Sequence, residues 1–211
     1  VRGIKMEKHD RVLSVEKKTD NRFLNMYDIQ YENKVGGQGI YHIASRASSI
    51  DTLKMNTRVN RPDGVIIYAL YGPRRDKVVM VRQYRFSIDD YVYEFPAGLV
   101  DAGETYAEAG ARELKEETGL DFTPVKANEM FSKPLFTTIG MTDESCATVY
   151  GYASGNISKA GLEDNEDLEV VLADRKEVRR ILQEEHVSIN CGYLLMHFLC
   201  HTAEDPFYFL R

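Results

Sequence analysis

Hydrophobic and polar residues alternate in the first quarter of the chain. In residues 23–32, most odd positions carry aromatic or aliphatic side chains, and the even positions include Asp28 and Gln30. This period of two is typical of a half-buried β-strand. Residues 11–18 and 39–46 have similar composition, and the polar or glycine-rich segments between them predict a small antiparallel sheet. Its apolar face packs either on a partner subunit or on the rest of the same chain.

The rest of the chain mixes further strands with three helices. Strands are predicted at residues 64–71, 77–86, 91–95, 125–131, 147–153 and 168–172. Helices are predicted at 105–118, at 175–185 after Asp174, and at 189–202 after Ser188. We therefore expect an α/β (α+β) chain, with an N-terminal β-sheet subdomain at residues 1–55 and a main domain at 56–211 in which a sheet lies between helices.

The helix predicted at 105–118 has two different edges. It contains no proline and meets Gly119, a residue type that ends helices in the αL conformation. A narrow stripe of mostly small residues, suited to close packing on a sheet, consists of Ala107, Gly110, Ala111, Leu114 and Thr118. Glu113 and Glu117 project beside this stripe, and Glu116 lies about one residue further round.

Three carboxylates on one helix edge call for a compensating charge. Like charges four residues apart destabilise a helix by roughly 0.2–0.5 kcal/mol per pair, and Arg112 alone cannot neutralise three glutamates. A site built only from oxygen ligands suits Mg²⁺ or Mn²⁺ better than zinc. An isolated E-x-x-E-E is more often a solvated acidic face, so the surrounding residues must decide between the two interpretations.

The surrounding spacing is highly specific. Gly98 is followed by five residues and Glu104, and then by seven residues and the run R-E-L-K-E-E-T-G-L at 112–120. A chance match in a chain of this length has a probability of about one in ten million. The pattern resembles the Nudix box at every defining position. This resemblance implies a Nudix-type α/β/α sandwich with a mixed sheet.

The flanks of the box resemble the ADP-ribose pyrophosphatase branch of that family. The residues at 93–98, Y-E-F-P-A-G, lead directly into the box, and V-R-Q-Y-R precedes them at 81–85. Pro134 lies near the position of a proline characteristic of the branch. Residues 138–144 resemble its catalytic loop, although Ile139 replaces the usual proline of Ser-Pro-Gly. The N-terminal sheet also fits this branch.

The resemblance and the helix geometry together indicate the metal ligands. We expect Glu113 and Glu117 to bind the metal directly, and Glu116 to bind it directly or through water. The carbonyl of Ala97 would complete the shell, and Glu104 would support the metal site from the preceding turn.

The general base and the substrate contacts are expected outside the helix. A glutamate engaged with metal is a poor proton acceptor, so Glu144 is the candidate base and Asp143 its rival. Either side chain could instead cap or turn its loop. The remaining expected site residues are Glu116 and Arg112 in the catalytic set, the latter as an orienting ion-pair partner, and Arg85, Arg82 and Glu94 as substrate-binding groups.

Composition argues against several other classes of protein. The net charge of −6 disfavours broad nucleic-acid binding, which needs a basic surface. Cys146, Cys191 and Cys200 form no C-x-x-C motif, so neither a disulfide framework nor a structural zinc site is indicated. His197 and His201 are four residues apart, but without a following glutamate a terminal helix face is favoured over metal binding. The sequence has no signal-peptide core and no apolar run of membrane-spanning length, so we expect a cytoplasmic protein without membrane contact.

These observations favour an enzyme. We expect a homodimer, assembled through the N-terminal sheet, that uses Mg²⁺ or Mn²⁺ to hydrolyse the pyrophosphate bond of a nucleoside diphosphate sugar. ADP-ribose, converted to AMP and ribose 5-phosphate, is the first candidate, and GDP-mannose or another nucleoside diphosphate-X compound is the alternative. A non-catalytic Nudix module that senses a nucleotide sugar is the competing hypothesis, which the intact glutamates disfavour.

Overall fold

The computed structural model describes residues 4–162, 166–202 and 204–210. Within these ranges the strands are β1 (Ile4–Lys5), β2 (Val12–Lys17), β3 (Asn25–Glu32), β4 (Gln38–Ser45), β5 (Val59–Asn60), β6 (Gly64–Tyr71), β7 (Lys77–Arg85), β8 (Asp90–Glu94), β9 (Ala97–Leu99), β10 (Asp121–Pro124), β11 (Leu135–Phe136), β12 (Ser145–Ser154) and β13 (Leu168–Ala173). The α-helices are α1 (Lys54–Thr57), α2 (Tyr106–Thr118), α3 (Glu129–Ser132), α4 (Arg175–Glu184) and α5 (Ile189–Cys200). None of the helices in the described ranges is long and apolar enough to cross a membrane.

The chain forms two compact units. The first unit comprises Val1–Asp63 and Pro134–Cys146, and the second unit comprises Gly64–Lys133 and Ala147–Arg211. Each unit has its own hydrophobic core.

The first unit contains the three-stranded antiparallel sheet that the sequence predicted. Its order is β2-β3-β4, and pairs such as Tyr27 with Ile43 set the register. Because side chains alternate along a strand, Tyr27, Ile29 and Ile43 share one face, where they pack with Leu53. The Tyr27 ring is fully buried, and its hydroxyl donates a hydrogen bond of 2.6 Å to the carbonyl of Ala47.

A distant segment, residues 134–146, belongs to the first unit as well. β11 pairs with the first residues of β12, and the Tyr41 hydroxyl donates a hydrogen bond of 2.6 Å to the carbonyl of Gly140. The sequence predicted a boundary between residues 55 and 56 and no such return of the chain. A hydrophobic pattern describes only near neighbours in sequence, whereas Tyr41 and Gly140 are 99 positions apart. It therefore does not reveal this return of the chain.

A buried polar cluster also lies in the first unit. The Lys54 ammonium group donates hydrogen bonds of 2.6 Å to the Asp63 carboxylate and of 2.6 Å to the Ser145 hydroxyl. That hydroxyl donates in turn to the side-chain oxygen of Asn60, also at 2.6 Å. Lys54 is only 8% exposed. Its charge is tolerated inside the unit because it is paired and hydrogen-bonded.

The sheet of the second unit has helices on both faces. Its strand order is β10-β12-β6-β7-β13, with β9 beside β6 and β8 beside β7. Along β6, Val65 and Ile67 pack with residues of α2, whereas Tyr68 and Leu70 pack with residues of α4 and α5. This alternation builds the α/β/α sandwich that the sequence predicted.

One predicted strand was wrong. The sequence predicted a strand at 125–131, but β10 ends at Pro124 and α3 follows at Glu129–Ser132. Proline has no backbone N–H for a sheet ladder. Asn128 begins α3 instead, because its side chain accepts a hydrogen bond of 3.1 Å from the amide of Met130.

Candidate functional site

Both ends of α2 are held by specific residues, of which the sequence predicted Gly119 but not the N-terminal cap. At the N-terminus, Thr105 and Glu108 form a capping box, with the Thr105 amide donating to the Glu108 carboxylate at 2.8 Å. At the C-terminus, Gly119 adopts the αL conformation with φ of 76°, and its amide donates to the Lys115 carbonyl at 2.9 Å. The two caps fix the position of every glutamate between them.

The packed face of α2 differs from the predicted stripe. Its buried residues are Ala109, Gly110, Leu114, Glu117 and Thr118. Ala107 and Ala111, which the prediction included, are only half-buried. At 100° per residue, the packed face is turned by roughly 60° toward Glu117. Gly110 permits close packing, because a Cβ atom there would lie 2.6 Å from the Val149 side chain.

The first glycine of the box accommodates a glutamate. A Cβ atom on Gly98 would lie 1.9 Å from the carboxyl carbon of Glu113, so any other residue would displace that carboxylate. The Glu113 side chain is 15% exposed, and burial raises its pKa while the neighbouring Arg112 opposes this shift. The spacing between Gly98 and Glu113 therefore has a direct steric reason.

Arg112 connects the carboxylates of the box. It donates two hydrogen bonds to Glu104, at 3.0 and 2.9 Å, and lowers the pKa of that carboxyl. It also donates to Glu113 at 2.8 Å, to Glu116 at 3.2 Å and to the carbonyl of Leu99 at 3.0 Å. The guanidinium group thus orients three carboxylates in this structure.

Glu117 is buried without full hydrogen bonding. It is 6% exposed, and one carboxylate oxygen has no partner among the described residues. Burial raises its pKa well above the usual value, and the charges of Glu113 and Glu166 add to this shift. A backbone hydrogen bond from Ala97 and the charge of Arg85 oppose it. The side chain is therefore poised for a cation that would satisfy the free oxygen.

Glu166 is a site residue that the sequence reasoning missed. Its charge raises the pKa of both Glu113 and Glu117, so it is electrostatically coupled to the box. The available signal was the acidic run at 163–167, directly before the strand predicted at 168–172. Residues 163–165 lie outside the described residues.

Of the predicted substrate-binding residues, Arg85 and Glu94 contact each other, whereas Arg82 lies on the other side of β7. The Arg85 guanidinium contacts the Glu94 carboxylate at 2.6 and 2.7 Å, and its charge reaches Glu117. Arg82 is three residues from Arg85 and faces the opposite side of β7, with its guanidinium 3.9 Å from the centre of the Tyr91 ring. The structure therefore does not bring Arg82 to the box.

A sequence model of the NUDIX domain family matches residues 60–190. The matched segment is more than half of the chain and includes the whole box. The chain belongs to the Nudix family. The family predicted from the box is therefore confirmed.

Relatives of this Nudix chain support the same assignment. A Caenorhabditis elegans relative named as nudix hydrolase 2 is 39% identical over 119 residues, which are 54% of this chain and 52% of that protein. The ADP-ribose pyrophosphatase of Saccharomyces cerevisiae is 27% identical over 160 residues, which are 74% of this chain and 65% of the yeast protein. The chain thus spans about half to two thirds of the length of these relatives. A solved structure of an ADP compounds hydrolase, 20% identical, has the same fold with a TM-score of 0.62 and covers 92% of this chain and 93% of its own.

The Nudix box fits a hard divalent cation. Glu117 offers a buried oxygen without a partner among the described residues, and the Glu113 carboxylate lies directly against Gly98. Within the described residues, no three acidic, histidine or cysteine side chains are already gathered into a set that could hold a metal ion. Arg112 accounts for part of this, because Glu113 and Glu116 both bind it. Rotation of these side chains away from the guanidinium would release oxygens for a cation.

The candidate base Glu144 lies in the first unit. One of its carboxylate oxygens accepts a hydrogen bond of 2.8 Å from Arg46, and the other accepts one of 3.1 Å from the Thr137 hydroxyl. Its rival Asp143 accepts a hydrogen bond of 3.3 Å from the Lys54 amide. Both carboxylates thus also stabilise their own loop. The role of Glu144 as base stays a prediction.

Aromatic rings near the N-terminal sheet and in the last helix differ in their surroundings. Tyr27 is buried in the core, whereas Phe23 is 63% exposed with the Arg22 guanidinium 4.8 Å from its ring centre. At the end of the chain, His197 stacks on Phe209 at 4.8 Å between ring centres. This contact packs the histidine on the C-terminal segment.

Proposed function

We propose that this Nudix protein hydrolyses the pyrophosphate bond of a nucleoside diphosphate sugar in the presence of Mg²⁺ or Mn²⁺. The observation that carries the proposal is the buried oxygen of Glu117 without a partner, set beside Glu113, with Arg85 near enough to influence its charge. The preferred substrate is ADP-ribose, yielding AMP and ribose 5-phosphate, because the yeast relative is named ADP-ribose pyrophosphatase.

Glu113 and Glu117 would hold the cation, with Glu116 as a direct or water-mediated ligand. The backbone carbonyl of Ala97 would complete the shell. We add Glu166 to the expected ligands, because its charge acts on both Glu113 and Glu117. Glu104 would act through its two hydrogen bonds with Arg112 rather than by touching the metal.

A bound divalent cation would neutralise phosphate oxygens and make water more acidic. The chain's own residues supply orientation and proton transfer. Arg85 would exchange its contact with Glu94 for phosphate oxygens, which its planar guanidinium can bind in pairs. Water would form a new bond to phosphorus, the bridging P–O bond would break, and the water proton would pass to Glu144. For this step, the Glu144 carboxylate must either give up its ion pair with Arg46 or accept the proton while keeping that ion pair.

We also propose that the protein is a cytoplasmic homodimer assembled through the sheet of β2, β3 and β4. The face of Tyr27 and Ile29, which the sequence suggested for this contact, is buried within the unit, so the contact would use the opposite face, where Met26 is 40% and Ile40 is 55% exposed. Exposed apolar surface of this kind favours association. Sedimentation at micromolar concentration tests the assembly, and a monomer would contradict it.

The activity is tested by incubating the protein and Mg²⁺ with ADP-ribose, GDP-mannose and other nucleoside diphosphate compounds and identifying the products by mass. Glu117→Gln should remove most turnover, whereas Glu129→Gln, an exposed glutamate on α3, should not. Oxygen-labelled water identifies the phosphorus that is attacked. Ligand binding without turnover of any compound would instead support a nucleotide-sugar sensor.

A further inference from the structure

A polar cavity lies in the second unit, apart from the box residues. Its volume is about 300 Å³. The turn between β6 and β7, the first residues of α4 and the residue after α5 line it. The lining residues are Arg75, Asp76, Asp174, Arg175, Lys176 and His201. None of them takes part in the proposed hydrolysis.

The cations of this cavity have no carboxylate partners. Within residues 4–162, 166–202 and 204–210, Arg75, Arg175 and Lys176 form no ion pair. Arg75 lies over the Tyr152 ring at 4.2 Å and donates to its hydroxyl at 3.1 Å, which holds the guanidinium in place. Arg175 donates a hydrogen bond to the backbone carbonyl of His201.

The two carboxylates of the cavity are already engaged. Asp76 accepts a hydrogen bond of 2.8 Å from its ion-pair partner Arg74, which does not line the cavity. Asp174 caps α4 by accepting hydrogen bonds of 2.9 Å from the amides of Lys176 and Glu177. In a chain with a net charge of −6, this leaves a local excess of unpaired positive charge around one cavity.

His201 supplies an independent indication that this cavity suits a polar ligand. It is 3% exposed, its ring packs against Phe198, and its Nδ1 atom has no hydrogen-bond partner among the described residues. Burial, together with the charge of Arg175, lowers the pKa of the imidazole. A neutral imidazole keeps one N–H donor and one acceptor, and a buried polar atom without a partner is costly.

We propose that this cavity binds the phosphate group of a small molecule, or inorganic phosphate itself, through Arg75, Arg175 and Lys176. A solvated basic patch is the ordinary explanation for surface cations. Three features favour a binding site: the convergence of three cations on one open cavity, the prior engagement of both local carboxylates, and the buried imidazole without a partner among the described residues. Two guanidinium groups and an ammonium group match the charge and the acceptor oxygens of a phosphate dianion.

The test is calorimetric titration of the full chain with inorganic phosphate at constant ionic strength and in EDTA, so that the box cannot contribute through metal. A parallel titration uses ribose 5-phosphate. The double variant Arg175→Gln/Lys176→Gln should weaken binding of either ligand at least tenfold. The control Lys133→Gln/Lys159→Gln removes the same charge from exposed positions of the same unit and should change the affinity for either ligand less than twofold.

The NMR signals of the histidine imidazoles in the unaltered protein give a second readout, which does not require any variant to fold. Saturating phosphate should shift the His201 resonances and leave those of the exposed His186 in place. Tighter binding of ribose 5-phosphate than of inorganic phosphate would assign the site to a sugar phosphate, and equal binding would assign it to the free anion. Equal affinity of both double variants, or no binding of either ligand at millimolar concentration, would overturn the proposal.

Discussion

The variant Gly98→Ala tests the steric link between the start of the box and its helix. The added Cβ atom would lie 1.9 Å from the carboxyl carbon of Glu113. Carbon atoms in contact prefer about 3.5–4.0 Å, so the carboxyl group must move by roughly 1.5–2 Å. It is the far end of a flexible side chain, and we therefore expect the fold to survive.

The displaced carboxylate loses its 2.8 Å hydrogen bond with Arg112. A hydrogen bond between charged groups contributes about 1.5–3 kcal/mol when largely shielded from water. For a chain of this size, each kcal/mol corresponds to about 2–4 °C in Tm. We expect Gly98→Ala to melt roughly 3–12 °C lower in EDTA, and its affinity for Mn²⁺ to fall about 10- to 100-fold, because a ligand is misplaced.

Calorimetry with Mn²⁺ and thermal melts in EDTA measure the two effects separately. Gly192→Ala is the matched control, because a Cβ atom at Gly192 meets nothing within 4 Å. A double-mutant cycle with Glu113→Gln adds a stricter check, since Gly98→Ala should cost little further Mn²⁺ affinity once that carboxylate is gone. Unchanged Mn²⁺ affinity of Gly98→Ala would refute the proposed role of Glu113.

Four further variants test other parts of the structure. Glu117→Gln should raise Tm in EDTA by roughly 2–12 °C at pH 8, because a buried carboxylate costs about 1–3 kcal/mol. Since the folded protein has the raised pKa, this advantage should shrink as the pH falls toward the ordinary glutamate pKa, and a constant advantage at all pH values would contradict the burial argument. Glu144→Gln should lower kcat about 10²- to 10⁴-fold with unchanged Mn²⁺ affinity, and normal kcat would remove Glu144 as the base. Arg85→Gln should raise KM at least about tenfold through lost phosphate contacts, measured by steady-state kinetics. Lys54→Met should destabilise the first unit by about 1–3 kcal/mol in urea melts, because Asp63, whose side chain is 22% exposed, loses its cation.

Local sequence signals predicted the box helix well. Gly119 acts through its own backbone, so its residue type and position were enough to predict the end of the helix. Thr105 was predicted as the first helical residue, whereas it is the N-cap. The strands that carry the site are also strongly patterned, because β6 and β7 are buried between helices. The family assignment required only the spacing of the box.

Features that depend on tertiary packing were harder to predict. The packed face of α2 is turned toward Glu117, and the close packing of Gly110 against Val149 on this face involves a residue far away in sequence. Glu166 couples to the box through a loop distant in sequence. Arg85 was predicted as the main phosphate contact and Arg82 as a second one, but strand alternation places them on opposite faces of β7.

The two caps of α2 also restrict how the box can change in evolution. A single residue inserted between Thr105 and Glu113 would advance the later glutamates by about 100° around the helix and 1.5 Å along it. Glu113 would then turn away from Gly98, and Glu117 would leave its buried position. The helix could not shift along its axis to compensate, because the caps fix both of its ends. Substitution can therefore be tolerated at many positions of this helix, but a change of length cannot. This explains in mechanical terms why the box is recognised by counting residues.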